Sequence, residues 1–328
     1  MLTKNKFNFK LSEVVALLDN ANVDRDLSLN CLATLNSPKS NGILFVKGLS
    51  DENLAKLETI NDSLVFINSK DVDFPGIERL KEKHVLIFTP DPRLSFAKFT
   101  SKLSDFAADD TTAYNLVNGS YISASAVIGE NVVIEPGSFI GHDVKIGKGS
   151  RISSGARISN NVTIGNNCYI GYNTVVGGQG FGGERDEDNV IYMIPHLGGV
   201  VLDDYVQTGA FVTIVAGTID PTFVGKHTKI DDHVHVAHNC QVGESCFVTA
   251  CAQFGGSDRI GHRVWVGPNA SFMQNISIGD NTTVGLGAVV TKSVEADLVV
   301  LGNPAEDIRS AFKKKKLLEK ILKDYEEK

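Results

Sequence analysis

The sequence predicts a mainly β chain: a parallel β-helix, preceded by a small α/β domain and followed by an α-helix. Three observations predict it. Aliphatic residues recur at every sixth position through the middle of the 328-residue chain. Residues 1–105 lack that period and mix helical and strand patterns. Residues 303–328 return to a helical stripe.

The first domain reads in order as follows. Residues 11–18 have helical spacing. Residues 43–46, 64–67 and 84–88 are short apolar runs that read as strands. Residues 92–103 read as a closing helix. Residues 106–120 are polar and read as a linker into a second domain, 106–302.

The repeat starts at Ile122. Stepping by six gives Ile128, Ile134, Ile140, Ile146, Ile152, Ile158, Ile164, Ile170 and Val176. The phase returns at Val224 and runs to Val290. Of 29 such positions from 122 to 290, 26 carry Ile, Val or Phe, too many for chance. Two residues before each anchor sit small or β-branched residues, including Ala156, Cys168, Ala210, Ala216, Ala252 and Ala288. A strand points alternate side chains to one face, so one large and one small residue per hexad point inward. The residue after the anchor is often glycine, expected to supply a corner with φ above zero. Three hexads close one coil of eighteen residues, so residues eighteen apart stack. Cys168, Cys240 and Cys246 fall in the small inward slot and read as core.

Residues 177–199 interrupt the repeat. Such a loop on a regular scaffold tends to carry function. After Asn303-Pro304 the phase is lost. Ile308, Phe312, Leu317, Leu318, Ile321 and Leu322 then form an apolar helical stripe, which three copies could pack together.

Composition narrows the classes. The net charge of −7 argues against a broad nucleic-acid surface. The run Lys313 to Lys316 reads as a solvated helix face. No stretch approaches the roughly 20 apolar residues of a spanning helix. Residues 1–10 lack the apolar segment of a secretory leader, so a cytoplasmic protein is expected. Five cysteines without a CxxC pair predict free thiols and no metal site.

The motifs resemble a known family. The stretch Pro92-Arg93-Leu94-Ser95-Phe96-Ala97, the loop Gly177-Gly178-Gln179-Gly180-Phe181-Gly182, the stretch Lys229-Ile230-Asp231-Asp232 and the run Val236-Ala237-His238-Asn239 occur in that order. Gly255-Gly256-Ser257 follows one coil later. This set resembles the UDP-3-O-(3-hydroxyacyl)glucosamine N-acyltransferases of lipid A biosynthesis. The resemblance implies a left-handed β-helix and a homotrimer. It implies acyl transfer from the phosphopantetheine thioester of acyl carrier protein to the amine of a nucleotide-linked amino sugar. It implies no tightly bound cofactor and no metal.

Within that resemblance His238 is the expected general base. It lies at an outward corner, and a histidine with an unperturbed pKa of roughly 6.5 can accept the proton an attacking ammonium must lose. His142 and His262 hold the same place in their hexads, so a surface histidine is the competing reading. Gly256, eighteen residues on, is expected over His238, where a backbone N–H would hold the oxyanion. Asp220, eighteen residues earlier, is a candidate to orient the ring. Asn239 and Asn275 are expected to bind substrate. Phe181 and Gly182 are expected to cover a sugar or donor groove, and Phe45 to stack on uracil. Leu301-Gly302-Asn303-Pro304-Ala305 resembles the end of coenzyme A-dependent sugar acetyltransferases. This keeps open an acyl-CoA-dependent N- or O-acetyltransferase of surface polysaccharide synthesis. A non-catalytic binding protein on a β-helix is the third reading.

Overall fold

The computed structural model describes residues 7–18, 23, 25–106 and 113–326. They form two compact units. One contains the described residues up to 106, with Gln179–Gly198 and Thr218–Asp220. The other contains 113–178, Gly199–Gly217 and 221–326.

The first unit is built on a four-stranded parallel sheet. Its strands lie in the order Cys31–Leu32, Gly42–Val46, Leu64–Asn68 and Val85–Thr89. A parallel sheet needs cover on both faces, and the helices provide it. Helices Asp51–Glu58 and Ile77–Lys83 bury Leu54, Leu57 and Leu80 against Leu44, Val65 and Ile67. Helix Pro92–Phe106 contributes Phe96, Phe99 and Leu103 to a second core with Ile43, Leu64 and Phe66. Residues 11–18 form only a short α-helix, Leu11–Val14, and a 3-10 turn, Val15–Leu17. The loop also belongs to this unit. Its hairpin pairs Gly183–Arg185 with Ile191–Met193. Ile194, Leu197 and Ile219 enter the core around Phe96. Arg93 pairs with Glu184 at 2.9 Å.

The second unit is a left-handed β-helix with three parallel walls. The register is eighteen residues, as in Ile140 against Ile158 and Val236 against Phe254. From Ile140 on the anchors are buried in one continuous core, with Ala156, Cys168, Cys240, Cys246 and Ala252 between them, while Ile122 and Ile134 are partly buried and Ile128 is exposed. Burying a side chain of this size is worth about 1.5–3 kcal/mol, and the ladder repeats that gain at every step. All five cysteines are free. Burial pushes the thiols of Cys168 and Cys240 up to about 11 and about 12, so neither supplies thiolate near neutral pH.

Four expectations change. First, the expected linker of 106–120 is strand from residue 114 on. Tyr114–Val117 and Ser120–Ser123 form an antiparallel hairpin on the first coil. Ser123 and Tyr114 hold the two ring nitrogens of His142 at 2.7 and 2.8 Å. The part of the expected linker at 107–112 lies outside the described residues.

Second, the unbroken phase between 176 and 224 is a coincidence. Val176 pairs with Ile214, 38 residues on, and Ile214 with Val236, 22 on. Against a coil of eighteen, the excesses are twenty and four. Their total is a multiple of six, so the phase returns. Between them the anchors are Leu202, Thr208 and Ile214, paired with Ile164, Ile230 and Val176. Ala210 is thus a corner residue, not an inward one.

Third, the glycines after the anchors do not supply the left-handed corners. Positive φ falls three residues after the anchor, at Asn131, Asn161, His233, Asn239 and Ser257 among others. Asparagine and aspartate tolerate this conformation best. The glycines answer to close approach of the next coil. A Cβ on Gly147 would lie 2.5 Å from the Gly165 carbonyl carbon, and one on Gly225 2.7 Å from that of Gly243.

Fourth, Asp220 does not continue an eighteen-residue column. It belongs to the four-residue excess, and its Oδ2 accepts a hydrogen bond from Thr34 Oγ1 at 3.2 Å within the first unit.

The last helix spans Ile308–Glu326, within the expected 303–328, and buries no residue. Phe312, Leu317, Leu318, Ile321 and Leu322 are all exposed along it. Among the described residues no helix is long and apolar enough to cross a membrane.

Candidate active site

One column of corners on the β-helix gathers His238, Asn239, Gly256 and Asn275. The corner after strand His235–Val236 carries His238, half-buried. Asn239 follows in the left-handed conformation, φ 60°, and its N–H donates to Thr222 Oγ1 at 2.9 Å. One coil up, Ser257 N–H donates to the His238 carbonyl at 2.8 Å, and above that Asn275 N–H donates to the Gly256 carbonyl at 2.9 Å. These bonds hold the column in register.

Gly256 stands directly over the imidazole. A Cβ there would lie 2.7 Å from both Cε1 and Nε2 of His238. The absent side chain is the space the ring occupies. The main-chain N–H of Gly256 is also uncapped. At several corresponding corners, His142, Lys148, Asn166 and His262, the N–H donates to a side chain one coil up. Among the described residues the Gly256 N–H, like those of Lys226, Ala250 and Gln274, has no such acceptor. It is a backbone donor beside an imidazole, the arrangement that stabilises a tetrahedral oxyanion.

The three corner histidines separate on geometry. His142 is buried and held by two hydroxyls. His262 is exposed, with Nδ1 accepting from the Glu244 N–H at 3.1 Å. His238 alone of the three sits under a glycine. Its Nδ1 is 3.1 Å from the Asn239 side-chain amide. An amide can present either end. With its oxygen towards Nδ1–H, the basic lone pair lies on Nε2, the nitrogen facing Gly256.

Two neighbours were not picked out from the sequence. His235 lies three residues before His238, and burial pushes its pKa down, which favours the neutral ring. Asp258 fills the inward slot behind the Gly255–Ser257 corner and is 0% exposed. Burial pushes its carboxyl up to about 6, against the pull of backbone N–H groups at Ile276, Gly255 and Asn275. The signal was legible: Asp258 puts a charge where Cys240 precedes it and Ile276 follows. The folded protein holds this proton more tightly than the unfolded chain, whose carboxyl titrates at roughly 3.9. The cost to stability is therefore full above pH 6, fades as the pH falls through that value, and is gone below about 4. Its size is about 3 kcal/mol. Asp258→Asn should be more stable than the parent at pH 8, with the gap closing between pH 6 and 4. Thermal unfolding across that range checks it, and a gap independent of pH would contradict it.

The other expected site residues lie in the first unit. Phe45 is half-buried on its strand and packs on Phe96 at 5.2 Å between centroids. Phe181 is 94% exposed at the tip of the loop. Gly182 accepts the Ile194 N–H at 2.9 Å and anchors the hairpin. The described residues contain no cluster of metal-binding side chains.

Comparison with known proteins agrees with the repeat. The bacterial transferase hexapeptide (six repeats) model matches residues 125–160, 143–178 and 259–292. A UDP-3-O-acylglucosamine N-acyltransferase of Campylobacter lari is 34% identical over 304 residues, covering 90% of this chain and 92% of that one. The chain belongs to the UDP-3-O-acylglucosamine N-acyltransferase family. It is an acyltransferase. The relative of that name from Methylobacillus flagellatus is 33% identical over 88% of this chain and 84% of its own. Among solved structures, a UDP-N-acetylglucosamine acyltransferase from Bacteroides fragilis superposes with a TM-score of 0.53 at 26% identity. That match covers 59% of this chain and 73% of the other, consistent with a shared β-helix.

Proposed function

We propose that this acyltransferase moves an acyl group from the phosphopantetheine thioester of acyl carrier protein to the amine of a UDP-linked 3-O-acylglucosamine, a step of lipid A synthesis in the cytoplasm. His238 is the general base. The observation that carries the reading is Gly256 packed over the His238 ring with its N–H uncapped, in a chain whose family is named for such a sugar. Nε2 takes a proton from the sugar ammonium. The amine attacks the thioester carbonyl, and the Gly256 N–H holds the resulting oxyanion. The adduct's remaining excess N–H proton leaves to solvent, collapse breaks the C–S bond and expels the thiolate, and the thiolate takes the other proton back from His238, leaving the neutral amide. Charge develops only at groups already in place, so little reorganisation is required.

The active assembly is a homotrimer. Support comes from the uncovered apolar stripe on helix Ile308–Glu326, wider than a lone helix in water normally shows. A coenzyme A donor remains the second reading, on the strength of the Leu301 to Ala305 stretch.

The test offers the protein 3-hydroxyacyl-acyl carrier protein or acetyl-coenzyme A, each with UDP-3-O-acylglucosamine, and follows products by mass spectrometry. The reading expects amide product with the carrier protein donor at least 100-fold faster than with acetyl-coenzyme A, from a species sedimenting at three times the chain mass. Faster turnover with acetyl-coenzyme A would replace it with the second reading. No product from either donor would remove both.

A further inference from the structure

Inside the β-helix one hydrogen-bond rule recurs in the small slot: Ser150, Thr174 and Thr228 follow it in full, Ser120 and Ser138 give its donor half alone, and Thr222 and Thr282 do not follow it. The side chain donates to the carbonyl fifteen residues on and accepts from the N–H eighteen residues on. Ser150 donates to Gly165 O at 2.8 Å and accepts from Cys168 N–H at 3.0 Å. Thr228 does the same with Gly243 O and Cys246 N–H, at 2.8 and 3.1 Å. Thr174 does so across the loop, with Gly209 O and Val212 N–H. Cys240 gives the donor half, its thiol reaching Gly255 O at 3.0 Å. Each such residue ties the corner above it to the coil wall from within.

Asp258 departs from the rule. Its Oδ1 accepts from Ile276 N–H at 3.1 Å, the expected acceptor half. Its Oδ2 is buried with no hydrogen-bond partner among the described residues. A carboxylate cannot donate, and only a carboxylic acid could complete the pattern. A buried oxygen without a partner costs free energy. Cys240 below and Ile276 above show that the column accepts residues without that cost. A buried carboxylate with one oxygen unpartnered, in a column that accepts apolar residues, marks a functional constraint. The place is specific: Asp258 closes the corner whose Gly256 stands over His238.

We propose that Asp258 is a positioning residue for acyl transfer: from inside the coil its carboxyl group holds the Ile276 N–H and with it the corner at 273–276, whose Asn275 N–H grips the Gly256 carbonyl and so aims the Gly256 N–H at the reacting carbonyl above His238. It touches neither substrate nor the reacting atoms. The inference rests on the reading of His238 and Gly256 given above.

Threonine and valine have nearly the same shape, and only threonine can satisfy both halves of the rule. Asp258→Thr and Asp258→Val are therefore compared in the full-length protein with the carrier protein donor, beside His238→Ala. Asp258→Thr should keep kcat within about threefold of the parent. Asp258→Val should lose at least tenfold in kcat, keep KM for both substrates within twofold, and melt no lower than Asp258→Thr. A residue that served stability alone would instead show a lowered Tm and an unchanged kcat. Equal kcat for the two variants, whether both high or both low, would overturn the proposal. Should Asp258→Val fail to fold, Asp258→Leu takes its place beside Asp258→Asn, which keeps a donor and an acceptor, and the same comparison decides. Transfer persisting at the parent rate in His238→Ala would instead bring down the site on which the inference rests. That result is separate from any ratio between the position 258 variants.

Discussion

His238→Ala should lower kcat by a factor of roughly 10²–10⁴, the range a positioned general base contributes, while KM for both substrates stays within threefold. The ring is half-buried, at a corner held by main-chain bonds that do not involve the imidazole. Its loss therefore removes a proton acceptor and leaves the scaffold standing. An unchanged melting curve would show that the effect is chemical. A further sign is available from pH. The sugar amine must be deprotonated in either protein, so the residual activity of the alanine variant should climb as the pH rises towards the pKa of that amine. Turnover within tenfold of the parent at neutral pH would remove His238 from the mechanism.

Gly256→Ala is expected to cost about 10²-fold in kcat, with the fold intact. Gly256 does not adopt a left-handed conformation, so alanine suits its backbone. The new Cβ would lie 2.7 Å from Cε1 and Nε2 of His238, closer than such atoms come. The neighbour is the end of a side chain, which can swing aside cheaply. Swinging aside is what catalysis does not tolerate, since displacement of a reacting group by about 1 Å costs on the order of 10²-fold. Gly255→Ala is the control. There the Cβ would meet the Gln274 main-chain nitrogen at 2.5 Å, and a coil cannot rotate out of the way. That variant should lose stability instead. Circular dichroism melting beside steady-state kinetics separates the two, and a Gly256→Ala enzyme with parent kcat would show that the ring has room to spare.

The scaffold was legible because its physics is periodic. One aliphatic anchor in every hexad must point inward, and from Ile122 to Val176 and from Val224 to Val290 the structure follows that count. Between them the count misled. Excesses of twenty and four residues cancel modulo six, so Thr218 occupied an anchor position on paper while Leu202, Thr208 and Ile214 do the packing. Periodicity reports phase, not the number of turns. The same limit moved Asp220 out of the column beneath His238. The glycines were placed correctly for a reason that proved different. Their role is the close approach of the next coil, a contact between residues eighteen apart that a local reading of turns does not contain. For the candidate site, the stacking of His238 and Gly256 followed from counting, since both lie in a regular stretch. The uncapped Gly256 N–H did not, because it depends on what the neighbouring coils present. Asp258 was visible as a charged residue in a core slot, but its meaning required the hydrogen-bond rule that recurs in that slot.

The division of the chain into units has a practical consequence. Residues 179–198 leave the β-helix and supply Ile194 and Leu197 to the core around Phe96, after which the polypeptide returns to its coils. The smaller unit is thus not a bead on a string. A fragment ending at residue 106 would lack part of its own interior, and transplanting that fragment onto another repeat protein would expose Phe96 and its neighbours to water. Any exchange of modules between relatives must carry these segments together with Thr218–Asp220, whose Ile219 joins the same core, so recombination at one junction is disfavoured.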